Sequence, residues 1–265
     1  MAKKRSSTRA ESHRICNIMP SRSTDKDWPY ETAIASAAVT AVAAPPTTVD
    51  LRAAWWNVGD QEDTGSCVGW ASTDGVMRSA FGFGGQKCSA NSRVYVEREV
   101  YDDFDAQLKD KTEKIKVGNP LERDVYLGPL INEKQMKSVL GYVETGVGEG
   151  ATLVTGGKRQ PVNGRGYFVQ PTVLSGVHNG MRVAQEEIFG PVLAVIPVKD
   201  YDEALQVAND TEYGLTGAVY SKNKQKLERA RQEFFVGNLY LNRKCTGALV
   251  GAHPFGGFNM SGTAP

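Results

Sequence analysis

The stretch GPVLAVIPV, residues 190–198, runs for nine positions without a charged side chain. A strand with one face in water alternates apolar and polar residues; an uninterrupted apolar run marks a strand covered on both faces. Such a strand needs helices packed on each side of it. The expected class is therefore α/β, a central and largely parallel sheet with flanking helices.

The neighbouring segments fit that plan. RVYVE (93–97) alternates and reads as a strand. Residues 98–115 read as an amphipathic helix, with Val100, Phe104 and Leu108 at four-residue spacing. Residues 132–150 read as a second helix with a glycine-rich end. ATLVTGG and GYFVQPTVL read as strands, 200–210 as a helix with an Asp cap, then strand, helix and strand through GNLYLN (237–242). The N-terminal 49 residues end in the breaker APPTT and are expected to be a poorly ordered lead-in, followed by a separate segment at 50–78 and the main α/β unit at 79–265.

Bulk properties narrow the function. The chain has 265 residues, 31 basic and 30 acidic, for a net charge of +1. That balance gives no pull toward nucleic acid or acidic lipid. The alanine-rich stretch at 32–46 is too short to span a bilayer. Four cysteines (Cys16, Cys67, Cys88, Cys245) form no C-x-x-C pair, and there are three histidines. Neither a zinc site nor a disulfide framework is expected; reduced thiols and a cytoplasmic setting are.

Two of these cysteines sit in contexts suited to a nucleophile. GFGGQKCSA surrounds Cys88 with glycines that let the backbone approach a ligand closely. Taken alone, a cysteine in such a loop reads as a buried structural thiol. The segments that follow it alter that reading: QEEIFGPVLAVI (185–196), YGLTGAVYS (213–221), GNLYLN (237–242) and PFGGFNMSG (254–262). With GQKCSANSR (85–93) they resemble, in order, the catalytic half of the aldehyde dehydrogenase superfamily. SAFGFGGQKCSANSR and NRKCTGALVGAHPFGG resemble its 1-pyrroline-5-carboxylate dehydrogenase branch, over about residues 79–263.

The resemblance implies an NAD-dependent oxidation of L-glutamate γ-semialdehyde to L-glutamate, a step of proline catabolism, in a homo-oligomeric enzyme. It makes Cys88 the nucleophile, passing through a thiohemiacetal and a thioester. Its backbone N–H would be an oxyanion donor. Glu187 would hold the nicotinamide ribose and Phe189 would flank the nicotinamide. Ser89, Gly247 and Ala248 would receive the substrate α-carboxylate, and Phe255 would line the aliphatic part of the substrate path. Read without it, Glu187 is a solvated acid at a strand start, Phe189 a core aromatic, and Gly247–Ala248 an ordinary turn.

The second context is DQEDTGSCVGWASTDGV, with Gln61 six residues before Cys67. A cysteine opening a helix, with a glutamine amide nearby, resembles the nucleophile region of papain-like cysteine peptidases. That resemblance covers about residues 15–78. Such a peptidase needs a downstream histidine base, and His178 and His253 both lie within the dehydrogenase-like framework. Cys67 is therefore read as inert, and the chain as a chimera joined near Arg78 and Ser79. No glycine-rich phosphate turn of a dinucleotide-binding domain is visible upstream of Cys88. Glu62, the nearest upstream glutamate, is not assigned as a base. The alternative to an active dehydrogenase is thus a catalytically incomplete fragment.

Overall fold

The computed structural model describes residues 67–249 and 251–262, with side chains described from residue 72 onward. The expected lead-in at 1–49, Gln61, Glu62 and the side chain of Cys67 lie outside the described residues. The described part begins with helix α1 (Cys67–Phe81), a 3-10 turn at Gly82–Gly85, strand β1 (Arg93–Glu97) and helix α2 (Tyr101–Glu113). Helix α3 (Glu133–Gly148), strands β2 (Thr152–Thr155) and β3 (Thr172–Ser175), the short helix α4 (Arg182–Gln185) and strand β4 (Val192–Val198) follow. Helix α5 (Tyr201–Asn209), strand β5 (Thr216–Val219), helix α6 (Lys224–Glu233) and strand β6 (Asn238–Leu241) complete the order.

β4 is the hub. It pairs in parallel with β1 on one side and with β3 on the other, and β2 closes the far edge antiparallel to β3. Its side chains alternate between two cores, as strand geometry requires. Val192, Ala194, Ile196 and Val198 join Met136, Val139 and Val143 of α3 and Val183 of α4. Leu193 and Val195 join Met77 and Phe81 of α1 and Phe104 and Leu108 of α2. The uninterrupted apolar run is thus two half-runs, each buried against its own helices. β5 and β6 pair in parallel as a separate two-stranded sheet, joined through α6.

Helix starts follow capping chemistry. The Asn132 side chain accepts from Gln135 N at 2.8 Å, Asp200 from Glu203 N at 3.0 Å, and Asn223 from Gln225 N at 2.8 Å. Three expectations need correction. Val100 is exposed, because Arg98–Val100 is a separate 3-10 turn; the buried stripe of α2 is Phe104, Leu108 and Thr112. The strand expected over 166–174 is confined to 172–175, since Pro171 has no N–H to give a ladder. The helix that Cys67 opens does not stay within the separate segment expected at 50–78: it runs to Phe81 and is built into the core. Thr73, Val76, Met77, Ala80 and Phe81, at i, i+3, i+4, i+7 and i+8, are all buried.

Phe81 has no exposed surface. Phe81→Ala is expected to cost about 3–5 kcal/mol, read as a lowered midpoint in urea unfolding. A loss below about 1 kcal/mol would mean that α1 is not part of the core.

Candidate active site

Cys88 sits on a turn closed by Ala90 N–H donating to the Lys87 carbonyl at 3.0 Å. Three anchors hold this turn. Gln86 accepts from Ile131 N at 2.9 Å through Oε1 and donates through Nε2 to the Pro129 carbonyl at 3.5 Å. Asn91 N donates to the carbonyl of Ser79, in α1, at 3.2 Å. Gly85 has φ +68°, and a Cβ there would lie 2.1 Å from the carbonyl oxygen of Gly190. Only glycine permits both that conformation and that approach. The loop carrying Cys88 is therefore pressed, backbone to backbone, on the turn that leads into β4.

That turn carries the second half of the site. Glu186 is extended, at φ −98° and ψ 152°. Its carboxylate accepts from Arg182 Nε at 2.7 Å and Nη2 at 2.9 Å, and from the Tyr142 hydroxyl at 2.7 Å. The Arg182 guanidinium, with the Tyr142 hydroxyl, draws the Glu186 carboxyl down to about 2. Glu187 makes no ion pair among the described residues. Phe189 takes a left-handed φ of 53° and remains exposed. Gln135 fixes this bend: its Nε2 donates to the carbonyls of Ile188 and Phe189, both at 3.0 Å.

Cys88, Glu187 and Phe189 line one cleft of about 380 Å³, with Lys87, Arg93, Gln185, Tyr213, Thr216 and Phe234 among its other walls. Cys88 is exposed. The buried structural thiol that its glycine loop suggested is instead Cys245, whose Sγ lies 3.6 Å from the Ser89 carbonyl and whose thiol is pushed up by burial. Lys87, half-buried beside Cys88, has its amine drawn down by burial and by Lys244. Gly247 lies in a second cleft of about 250 Å³, with Asn238, Tyr240, Arg243, His253 and Pro254. Ser89, Ala248 and Phe255 line neither cleft. His253 also stands apart from Cys88, and its Nδ1 accepts from Leu249 N at 2.9 Å. Sequence reasoning missed Gln135 and Gln86, which act through backbone carbonyls and amides far away in the chain. Among the described residues no group of three or more His, Cys, Asp or Glu could hold a metal, and no helix is long and apolar enough to cross a membrane.

The aldehyde dehydrogenase family matches residues 69–264. The chain belongs to this family. The match begins within α1, ahead of residue 79. A curated 1-pyrroline-5-carboxylate dehydrogenase of Anoxybacillus flavithermus is 53% identical over 188 residues, 71% of this chain and 36% of that protein. The crystal structure of 1-pyrroline-5-carboxylate dehydrogenase from Thermus with bound NAD superposes with a TM-score of 0.69 at 53% identity, covering 73% of this chain and 37% of the other. Betaine aldehyde dehydrogenase of Staphylococcus aureus, in complex with NAD+, gives a TM-score of 0.70 at 35% identity, covering 73% of this chain and 38% of that one. The chain thus spans a little over a third of the length of the curated relatives it matches. These aldehyde dehydrogenases share its α/β fold with a largely parallel central sheet.

Two outcomes follow for this aldehyde dehydrogenase site. Gly85→Ala is expected to cost at least about 2 kcal/mol and to slow alkylation of Cys88, since the loop must leave Gly190; unchanged urea unfolding and alkylation would contradict the contact. Glu186 has a folded carboxyl near 2 against an ordinary 4.5. Its contribution is present above the ordinary value and lost as pH falls toward 2. Because both partners are about half-exposed, solvent screens the pair and that contribution is small. Unfolding of wild type and Glu186→Gln, compared between about pH 5 and pH 2, should converge as pH falls; a constant gap would deny the clamp.

Proposed function

We propose that this chain carries the nucleophile and the nicotinamide-facing groups of a 1-pyrroline-5-carboxylate dehydrogenase, oxidising L-glutamate γ-semialdehyde to L-glutamate with NAD. The observation that carries the reading is the convergence of Cys88, Glu187 and Phe189 on one cleft. The fit to the nicotinamide end of the cofactor rests on the same groups. An unpaired carboxylate can accept from two ribose hydroxyls, and an exposed aromatic ring can flank a planar heterocycle.

Each residue then has a task. The Cys88 thiolate attacks the aldehyde carbon, forming a C–S bond and an oxyanion. The Cys88 backbone N–H, which bonds no other described residue, is free to donate to that oxyanion. Bound NAD supplies the hydride acceptor, leaving a thioester on Cys88. Water cleaves the thioester and returns the thiol. Glu187 and Phe189 hold and orient the nicotinamide riboside. Ser89, Gly247 and Ala248 receive the α-carboxylate, and Phe255 lines the aliphatic path. A cytoplasmic, homo-oligomeric enzyme fits this reading. The segment ahead of residue 69, with its likeness to a peptidase nucleophile region, takes no part in it.

A second reading keeps the nucleophile without independent turnover. NADH formation from purified chain, NAD and glutamate semialdehyde separates the two. The first reading expects a rate that falls at least about a thousand-fold in Cys88→Ala. A folded sample with no rate above that control would sink the first reading and leave the second.

A further inference from the structure

Lys87 lies on the Cys88 turn and lines the same cleft of about 380 Å³. Its side chain is partly buried and folds back along the loop. The Nζ lies 5.4 Å from the Phe83 ring centroid and 3.4 Å from the place a Cβ on Gly82 would take. Other lysines are held by carboxylates: Lys111 by Asp74, Lys137 by Glu133 at 2.8 Å and Lys226 by Glu97 at 2.6 Å. Lys87 has no such partner. Among the described residues it makes no hydrogen bond and no ion pair.

A carboxylate beside a lysine stabilises the ammonium form; burial and a second cation do the reverse. Both of the latter act on Lys87. Burial draws its amine down, Lys244 adds to the effect, and only the Cys245 thiol works against them. A larger share of this amine is therefore neutral, with its lone pair free, than on an exposed lysine. A desolvated lysine next to another cation is the arrangement that makes an amine a nucleophile toward carbonyl carbon.

We propose that Lys87 is a second carbonyl-reactive site of the cleft, one that captures small unhindered aldehydes as imines beside Cys88. The amine nitrogen forms a C–N bond to the aldehyde carbon. The carbinolamine then gives up its hydroxyl and a nitrogen proton as water, leaving C=N. Water reverses the step, so the adduct holds aldehyde in the cleft without consuming it. The inference needs neither NAD nor turnover, and it stands apart from the chemistry assigned to Cys88.

The test treats the full chain with limiting propanal and sodium cyanoborohydride near neutral pH. The borohydride delivers hydride to C=N and fixes each imine as a propyl amine, and peptide mass spectrometry then ranks the lysines. Lys109 and Lys222, both exposed, are the internal references. In the folded chain Lys87 should be propylated at least about three-fold faster than either. In urea the three rates should converge, and in folded Cys88→Ala the preference for Lys87 should persist. A folded Lys87 rate no higher than the references, or a preference that survives in urea, overturns the inference. A preference lost in Cys88→Ala overturns direct capture by the amine. None of these outcomes bears on the NADH assay that tests Cys88, so the two readings fail separately.

Discussion

Burial of β4 on both faces is the constraint from which the rest follows. A strand with Val192, Ala194 and Ile196 on one side and Leu193 and Val195 on the other cannot exist in water. Each such side chain contributes about 1.5–3 kcal/mol only when covered. Coverage comes from α3 and α4 on one face and from α1 and α2 on the other. The two elements that form the site are the chain segments at the lip of this arrangement. The Cys88 turn leaves α1 just after Phe81 is buried, and the Glu187–Phe189 bend enters β4 just before Val192 is buried. Packing of the core therefore brings together two segments about a hundred residues apart and lets Gly85 rest on Gly190.

Within the site, the two adjacent glutamates show how a backbone assigns opposite roles to identical side chains. Both side chains line the same cleft. Glu186 is committed to Arg182 and Tyr142, and its negative charge is spent there. Glu187 is left unpaired in the cleft. An acid without a cation partner keeps its lone pairs available to hydroxyl donors, the property a sugar-binding carboxylate needs. The hydrogen bonds from Gln135 to both carbonyls of the bend hold Phe189 in a left-handed conformation that a bulky residue adopts at a cost.

The parts of this fold that were legible in the sequence are those encoded locally. β4 could be read because double-sided burial leaves a compositional mark. Asp200 could be read as a cap because its hydrogen bond spans three residues. The start of α1 at Cys67 could be read, but its place in the core could not, although its stripe from Thr73 to Phe81 has helical spacing. A boundary drawn at residues 78 and 79, on the likeness of its first turn to another family, cut the stripe in two. Gln135 was illegible for a different reason, since its bonds reach carbonyls 53 and 54 residues away. Cys88, Glu187 and Phe189 were found through ordered motifs, but no local pattern said that they share a cleft while Gly247 lies in another.

The contrast between Cys88 and Cys245 shows what separates an accessible thiol from a buried one here. Both lie near the same stretch of backbone, Cys245 directly beneath the Ser89 carbonyl. Burial raises the Cys245 thiol, so its neutral S–H persists and serves as a weak donor within the packing. Cys88 is lifted into solvent by a turn whose neighbours are fixed by Gln86, Asn91 and Gly85. A nucleophile needs access and a fixed attack direction more than it needs contacts. Here the contacts fall on the residues beside Cys88, and the sulfur itself stays exposed.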